Sequence, residues 1–413
     1  MPASGSDKAR VRSATEWKPL CAGARQYLSA GAWQSVHDLL WPAISSHWIA
    51  AEIPPHAVEG LCLLLSACAR LNHRDHLRTG VPWVRDAIDA GQVRDPEALA
   101  LATLTLAQEE TRGGRYARAA FLLDALETEI LPRTAPATRA RLALLQARIA
   151  AVRGDEDAAE RWGLAAARHA SDAGSEIFKG DAYALLAIVA RRKGALAEAN
   201  RLYAQAAQHY WQAGDVAGHT TVLLNRGWAV GLIGLLPHAR RLFEEAQIQA
   251  DALQRTTTAL LAKLGLGWVA VRGGELQEGR RRLLAAWRAA RRMALPREEG
   301  LACEYLAECY LLAGEAQKAA RAIRCGGRIA ARLAPDGDLA IELELRKATL
   351  ALVLGQPREA VAVAWRARRR AASAGARWEA AQAWRLIGTA LARAGRARGA
   401  ARAFGRAQTG LAE

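Results

Sequence analysis

The sequence predicts an all-α solenoid of about ten antiparallel helix-turn-helix repeats, on three observations. Glycine recurs at Gly114, Gly154, Gly194, Gly234, Gly274, Gly314, Gly355 and Gly395, in steps of 40 residues with a single step of 41. Small residues flank each of these markers at fixed offsets. Five positions after stand Ala119, Ala159, Ala199, Ala239, Gly279, Ala319, Ala360 and Ala400; seven before stand Ala107, Ala147, Ala187, Gly227, Gly267, Ala307, Ala348 and Gly388. Alanine, leucine and arginine dominate the composition while β-branched residues are sparse, which favours helix. A fixed period of this size marks stacked supersecondary units rather than separate globular domains.

Asp181 to Asp215 is the clearest copy: two amphipathic segments joined at Lys193-Gly194. The small residues at Ala187 and Ala199 let the two helix backbones approach closely, and a larger residue nine past the marker fills the space that remains. Those fillers are Leu123, Tyr203, Phe243, Leu283, Ile323 and Phe404, with Gly163 and Ala364 as exceptions. A second punctuation, at Gly174, Gly214, Pro296, Pro335 and Gly375, ends the second helix of each pair.

A small residue, a turn glycine, then Ala-x-x-x-aromatic and a further alanine resembles the tetratricopeptide repeat family. The match runs through Gly227, Gly234, Ala239, Phe243 and Ala246, and again through Ala187, Gly194, Ala199, Tyr203 and Ala206. It covers residues 97–413 as eight helix pairs, and implies a right-handed superhelix. Two departures stand out: the period is 40 rather than 34, which lengthens both helices, and the usual proline near the end of the second helix is missing. Long repeats of this kind are similar to those of bacterial signal-responsive regulators.

Upstream the register blurs. Gly31 and Asn72 hold marker positions, and Trp33, Trp41, Trp48 and Trp83 make this part bulkier. Residues 17–96 are expected to be two divergent repeats capping the array, and residues 1–16 a disordered tail. The last pair stops at Glu413 with no polar capping helix after it, so a longer protein is expected.

The resemblance implies that the first helix of each pair lines a concave surface, with inward positions thirteen, ten, six and three before the marker. Six before, Trp228 and Trp268 follow Arg148 and Ile188 and precede Glu308; ten before, Leu224 and Leu264 precede Glu304. The expected groove has an apolar floor at Trp228 and Trp268, with Arg148 and Arg191 on one side and Glu304 and Glu308 on the other. Thr221 and Asn225 are candidates to serve a peptide backbone. The competing reading packs both tryptophans between repeats, as apolar stripes on long helices often do. Ligand capture in such a groove predicts a protein- or peptide-binding scaffold, the sensory or docking region of a bacterial regulatory protein active in signal transduction or transcription regulation.

The net charge of +16 is lopsided: residues 1–200 hold 24 basic against 23 acidic residues, and residues 201–413 hold 33 against 18. Arginines recur seven past the marker, at Arg161, Arg201, Arg241, Arg281, Arg321 and Arg402, and fourteen past it at Arg168, Arg288, Arg328 and Arg369. Seven steps of about 100° carry them away from the core side, onto an outer face. A solvated face is the plain reading. The alternative is a polyanion surface for nucleic acid or an acidic protein domain, carried by Arg281, Arg288, Arg321 and Arg328 and by the run Arg366, Arg368, Arg369 and Arg370. A third class, an assembly subunit, predicts self-association through the last helix.

The longest apolar run, Leu61 to Ala69, is too short to span a bilayer, and residues 1–17 contain no apolar stretch resembling a secretory signal. A cytoplasmic location without membrane contact is expected. Phosphate-binding and nucleophile-elbow motifs are missing, and the Gly265–Gly267 pair lies within a helical pattern, so no enzyme and no cofactor are expected. Six cysteines form no C-x-x-C pair and read as reduced core residues. Cys68, His73 and His76 crowd one turn, but the sequence offers no evident fourth ligand, and no metal is expected.

Overall fold

The computed structural model describes residues 14–30, 32–50, 53–71, 73–93, 95–127 and 131–412. Among them are twenty α-helices and no strand. Two pairs come first: α1 (Ala14–Ser29) with α2 (Trp33–Ala50), and α3 (Val58–Leu71) with α4 (Arg74–Asp89). Eight regular pairs follow. They are α5 (Pro96–Arg112) and α6 (Tyr116–Glu127), α7 (Pro136–Arg153) and α8 (Glu156–Asp172), α9 (Glu176–Arg192) and α10 (Leu196–Gln212), and α11 (Val216–Ile233) and α12 (Leu236–Ala252). The rest are α13 (Thr256–Arg272) and α14 (Leu276–Arg292), α15 (Pro296–Leu312) and α16 (Ala316–Leu333), α17 (Asp338–Val353) and α18 (Pro357–Ser373), and α19 (Arg377–Arg393) and α20 (Ala397–Ala412). The expected disordered tail meets helix at Ala14, and its residues 1–13 lie outside the described residues, as do the markers Gly31 and Asn72.

The marker glycines earn their positions through backbone geometry. Gly194 has φ +84°, and the turn closes with Ala195 N–H donating to the Ala190 carbonyl and Gly194 N–H to that of Arg191. That pair of bonds is a Schellman cap, which needs a left-handed residue after the helix. The turns between pairs use the same cap at Gly174, Gly214 and Gly375, and also at Gln254 (φ +53°) and Ala294 (φ +52°). The second punctuation is therefore periodic too. In the copy before Pro296, the sequence signal was displaced onto the proline that starts α15, because the cap residue, Ala294, is not glycine.

The single 41-residue step is absorbed between pairs. Three residues separate α14 from α15, whereas four, residues 334–337, separate α16 from α17. Helix phase on either side is unchanged.

The chain divides into two compact units: Met1–Arg153, Asp157–Leu185 and His209–Asp215 form one, and Gly154–Glu156, Leu186–Gln208 and Val216–Glu413 the other. In the first, each helix from α1 to α6 packs on its successor, and α1, α3, α5 and α7 also pack on one another in turn. In the second, α11 to α20 do the same, with α11, α13, α15, α17 and α19 forming the continuous layer. The first helices of the pairs thus share a face within each unit, as a stacked repeat array requires.

Packing follows the sequence offsets. Leu123, Tyr203, Phe243, Leu283 and Ile323 are buried, while Phe404 on α20 stays 39 % exposed. Phe243 reaches so far that a Cβ added at Gly227 or Gly265 would stand 2.7 or 2.5 Å from its ring. All six cysteines are free thiols, five of them buried. No described helix is long and apolar enough to cross a membrane.

Candidate functional site

In the second unit the shared face of the first helices carries an aromatic cluster beside an ion-pair cluster. Trp228 on α11 packs 5.1 Å from Trp268 on α13 and stacks at 5.3 Å on Tyr305 of α15, with Phe243 edge-on at 4.8 Å. Trp268 is only 3 % exposed; it occupies the space left by Gly231, where an added Cβ would lie 2.4 Å from its ring. Leu224, Leu264, Glu304 and Glu308 are buried as well. The expected open floor is closed on its Trp268 side, because the glycine one repeat earlier lets that indole turn inward. Trp228 remains half-buried, Asn225 half-buried and Thr221 exposed, with the Thr221 hydroxyl donating to the Ala217 carbonyl. Ile188 and Arg191 are half-buried in the same unit.

Glu304 and Glu308 are neutralised within the fold. Arg346 on α17 donates from Nε to Glu304 at 2.6 Å and from Nη2 to Glu308 at 3.0 Å, and Arg272 reaches Glu308 at 2.7 Å while lying over the Trp268 ring. Burial raises the Glu304 carboxyl above its ordinary range, against the pull of Arg346. Glu342, half-buried one turn before Arg346, is pushed up to about 8 by burial and by the Glu304 charge. A cluster of this kind holds a charge balance rather than offering a charged rim to a ligand.

The first unit presents an open counterpart. A cavity of about 250 Å³ on the first-helix face is lined by residues from α2, α3, α5, α7 and α9, among them Arg112, Arg141, Arg148, Gln108 and Asp181. Arg141 is the unusual member: it is 7 % exposed, its Nη2 donates to Ser66 Oγ at 2.6 Å, and its Nη1 is buried with no hydrogen-bond partner among the described residues. The Ser66 hydroxyl donates onward to the Cys62 carbonyl at 2.7 Å. Burial lowers Arg141 to about 10, still well above neutrality, so it carries its charge at pH 7. Arg148, expected at the groove, is exposed on this cavity's wall. Tyr210 donates to Asp181 at 2.5 Å, which anchors one acidic edge.

Sequence reasoning passed over Arg141, Asp181 and Glu342. All three stand thirteen before a marker, an inward position, so reading that series beside the other two would have found them. Arg346, nine before its marker, falls outside the inward register and had no such signal.

The arginines on the second helices lie on the outer side. Arg281, Arg288, Arg321, Arg328 and Arg369 are exposed. Arg281 is held by Glu278, Arg366 and Arg370 by Glu344, and Arg368 lies over the rings of Trp365 and Trp384.

No family model matches the sequence, and no curated protein matches it. Solved structures do. A Rap protein complexed with competence and sporulation factor superposes with a TM-score of 0.70 at 14 % identity, covering 87 % of this chain and 99 % of its own. The apo form of the quorum sensor NprR from B. thuringiensis gives 0.59 at 12 %, covering 86 % and 98 %. Aspartyl phosphate phosphatase F from Bacillus subtilis gives 0.53 at 11 %, covering 99 % and 96 %. A signal-transduction ATPase from Pyrococcus horikoshii with a tetratricopeptide repeat sensor also matches, at 0.51 and 15 %. Similarity at this level speaks to fold. With its 40-residue period, its capped helix pairs and its layered first helices, this chain has the helical-repeat solenoid fold of tetratricopeptide-repeat type.

Proposed function

We propose that this chain is a docking scaffold for a short peptide or protein segment presenting a carboxylate, and that it is the sensory or partner-docking part of a bacterial regulatory protein acting in the cytoplasm. The observation that carries the reading is the Arg141 guanidinium, buried at the wall of an open cavity with one face unpartnered. A buried arginine fork suits a carboxylate because it can donate two parallel bonds, and charge-assisted bonds of this kind strengthen away from water. Arg112 and Arg148 add positive charge at the same wall. The fold shared with a Rap protein bound to a factor and with a quorum sensor supports the regulatory reading. The role is binding rather than catalysis: of the cavity's hydroxyls, Ser66 is committed to Arg141 and the Cys62 carbonyl, and Thr111 to the Ala107 carbonyl.

The test is fluorescence anisotropy of the full chain against a library of short peptides with free C-termini and acidic side chains, paired with amidated and Asn/Gln counterparts. Binders are expected to lose at least tenfold in affinity when their carboxylate is neutralised, and again with Arg148→Ala. A library without binders, or binders indifferent to both changes, sinks the reading.

A second reading, polyanion binding, is supported by the exposed Arg288, Arg321, Arg328 and Arg369. It predicts that binding to a duplex oligonucleotide falls steeply with salt. Affinity that barely weakens between low and high salt excludes it.

A further inference from the structure

We propose that His37, Cys68, His73 and His76 form a metal site for zinc or a closely related divalent ion, clipping together the helices α2, α3 and α4. One ligand atom from each of the four residues lies within 4.8 Å of every other. A tetrahedral ion with usual bond lengths needs its ligand atoms roughly 3.4–3.8 Å apart, so small side-chain rotations close the set. Cys68 Sγ and His76 Nδ1 already stand 3.5 Å apart.

The chain builds this convergence. Cys68 lies near the end of α3, and the His73 N–H donates to the Cys68 carbonyl at 2.8 Å, folding the turn so that His73 caps α4 and His76 follows in its first turn. His37 arrives from α2, the helix before. Its ring stacks parallel to that of His76 at 5.7 Å and meets that of His73 edge-on at 5.0 Å.

Two independent observations point to metal ligation rather than to aromatic packing. His37 Nε2 and His73 Nδ1 are both buried without a hydrogen-bond partner among the described residues, and such orphaned polar atoms are rare in folded proteins. The other nitrogen of His37, Nδ1, lies 3.4 Å from Asp38 Oδ1, and that carboxylate accepts from Gln34 Nε2 at 2.7 Å. A carboxylate behind an imidazole is the arrangement that fixes the tautomer of a metal-binding histidine, leaving Nε2 to face the ion. The Trp41 ring stacks at 4.2 Å on His76 and shields the cluster from one side.

One thiolate and three imidazoles form a borderline-soft donor set, which selects zinc over calcium or magnesium. Four protein ligands make a closed, structural site with no open position for substrate. Burial raises the free Cys68 thiol to about 12, so binding displaces its proton to solvent as the metal–sulfur bond forms.

The experiment is titration of the full chain, purified in chelator, with Co2+ and then Zn2+. One equivalent of Co2+ should produce thiolate-to-cobalt charge transfer and the intense visible bands of a tetrahedral centre, and Zn2+ should bleach both. Cys68→Ser should abolish the charge-transfer band, and His37→Gln, at a half-buried position, should weaken Co2+ affinity at least tenfold with the helical circular dichroism unchanged. Should Cys68→Ser fail to fold, the His37→Gln affinity decides. Absence of the bands in the native chain, or affinity unmoved by His37→Gln, overturns the proposal.

Discussion

The Arg346 guanidinium meets Glu304 Oε1 at 2.6 Å, joining α17 to α15 across 42 residues of sequence. Both groups are out of water, with the Glu304 side chain 2 % exposed. Replacing Arg346 with Met leaves Glu304 and Glu308 buried beside each other with only Arg272 in reach. Breaking a buried pair by removing one partner costs about 3–5 kcal/mol. Urea denaturation of Arg346→Met should show a loss of that order; a change below about 1 kcal/mol would mean that solvent already screens the cluster.

Glu342 supplies a pH dependence. Its folded value, about 8, lies above its ordinary 4.5, so between those values the native state holds a proton that the unfolded chain has released. Stability therefore falls as pH rises from about 4.5 to about 8 and levels off above that. Glu342→Gln should flatten this slope and stabilise the chain at pH 8. Thermal melts of both proteins across the window check the sign; a slope unchanged by the substitution would assign it elsewhere.

Gln254 and Ala294 sit in the left-handed cap that glycine fills elsewhere in the array. A non-glycine residue there costs roughly 1–2 kcal/mol of steric strain, partly offset by the greater chain entropy that glycine loses on folding. Gln254→Gly and Ala294→Gly should each stabilise by up to about 1 kcal/mol, additively because the turns are separate. Melting temperatures of the two single variants and the double variant read this directly, and a destabilised single variant refutes it.

Gly231 tests the closed aromatic cluster. Adding a methyl group there collides with the Trp268 ring, and overpacking of this kind costs about 1–3 kcal/mol. Gly231→Ala should lower stability and shift the tryptophan fluorescence as the indole is displaced. Gly327→Ala, where nothing lies within 4 Å of the added Cβ, is the control and should be near neutral or stabilising.

The fold was legible because its determinants repeat: close approach at Ala187 and Ala199, and a left-handed turn at Gly194, are imposed by backbone geometry and recur at a fixed offset. The site was legible only in part, because it depends on what one repeat leaves vacant for the next. Trp268 occupies an inward-facing register position, yet Gly231, in the preceding repeat, turns it into core. Glu304 and Glu308 look like an acidic rim until Arg346 arrives from the following pair. His37 lies 31 residues before Cys68 on another helix, and no spacing rule joins the two. The turn residues Gln254 and Ala294 escaped notice for a simpler reason: the backbone conformation is that of glycine while the side chain is not.

The four-residue connection at 334–337 shows where this architecture accepts an error in copying. One residue added inside a helix would rotate every later side chain by about 100° and turn the interior outward. Added between pairs, the same residue lengthens a connection and leaves the succeeding pair in phase. Insertions and deletions are thus cheap at one kind of seam in every forty residues, and gene segments exchanged unequally at such seams yield longer or shorter arrays that still pack. Whole units can be gained or lost at such a seam while each remaining unit keeps its interior.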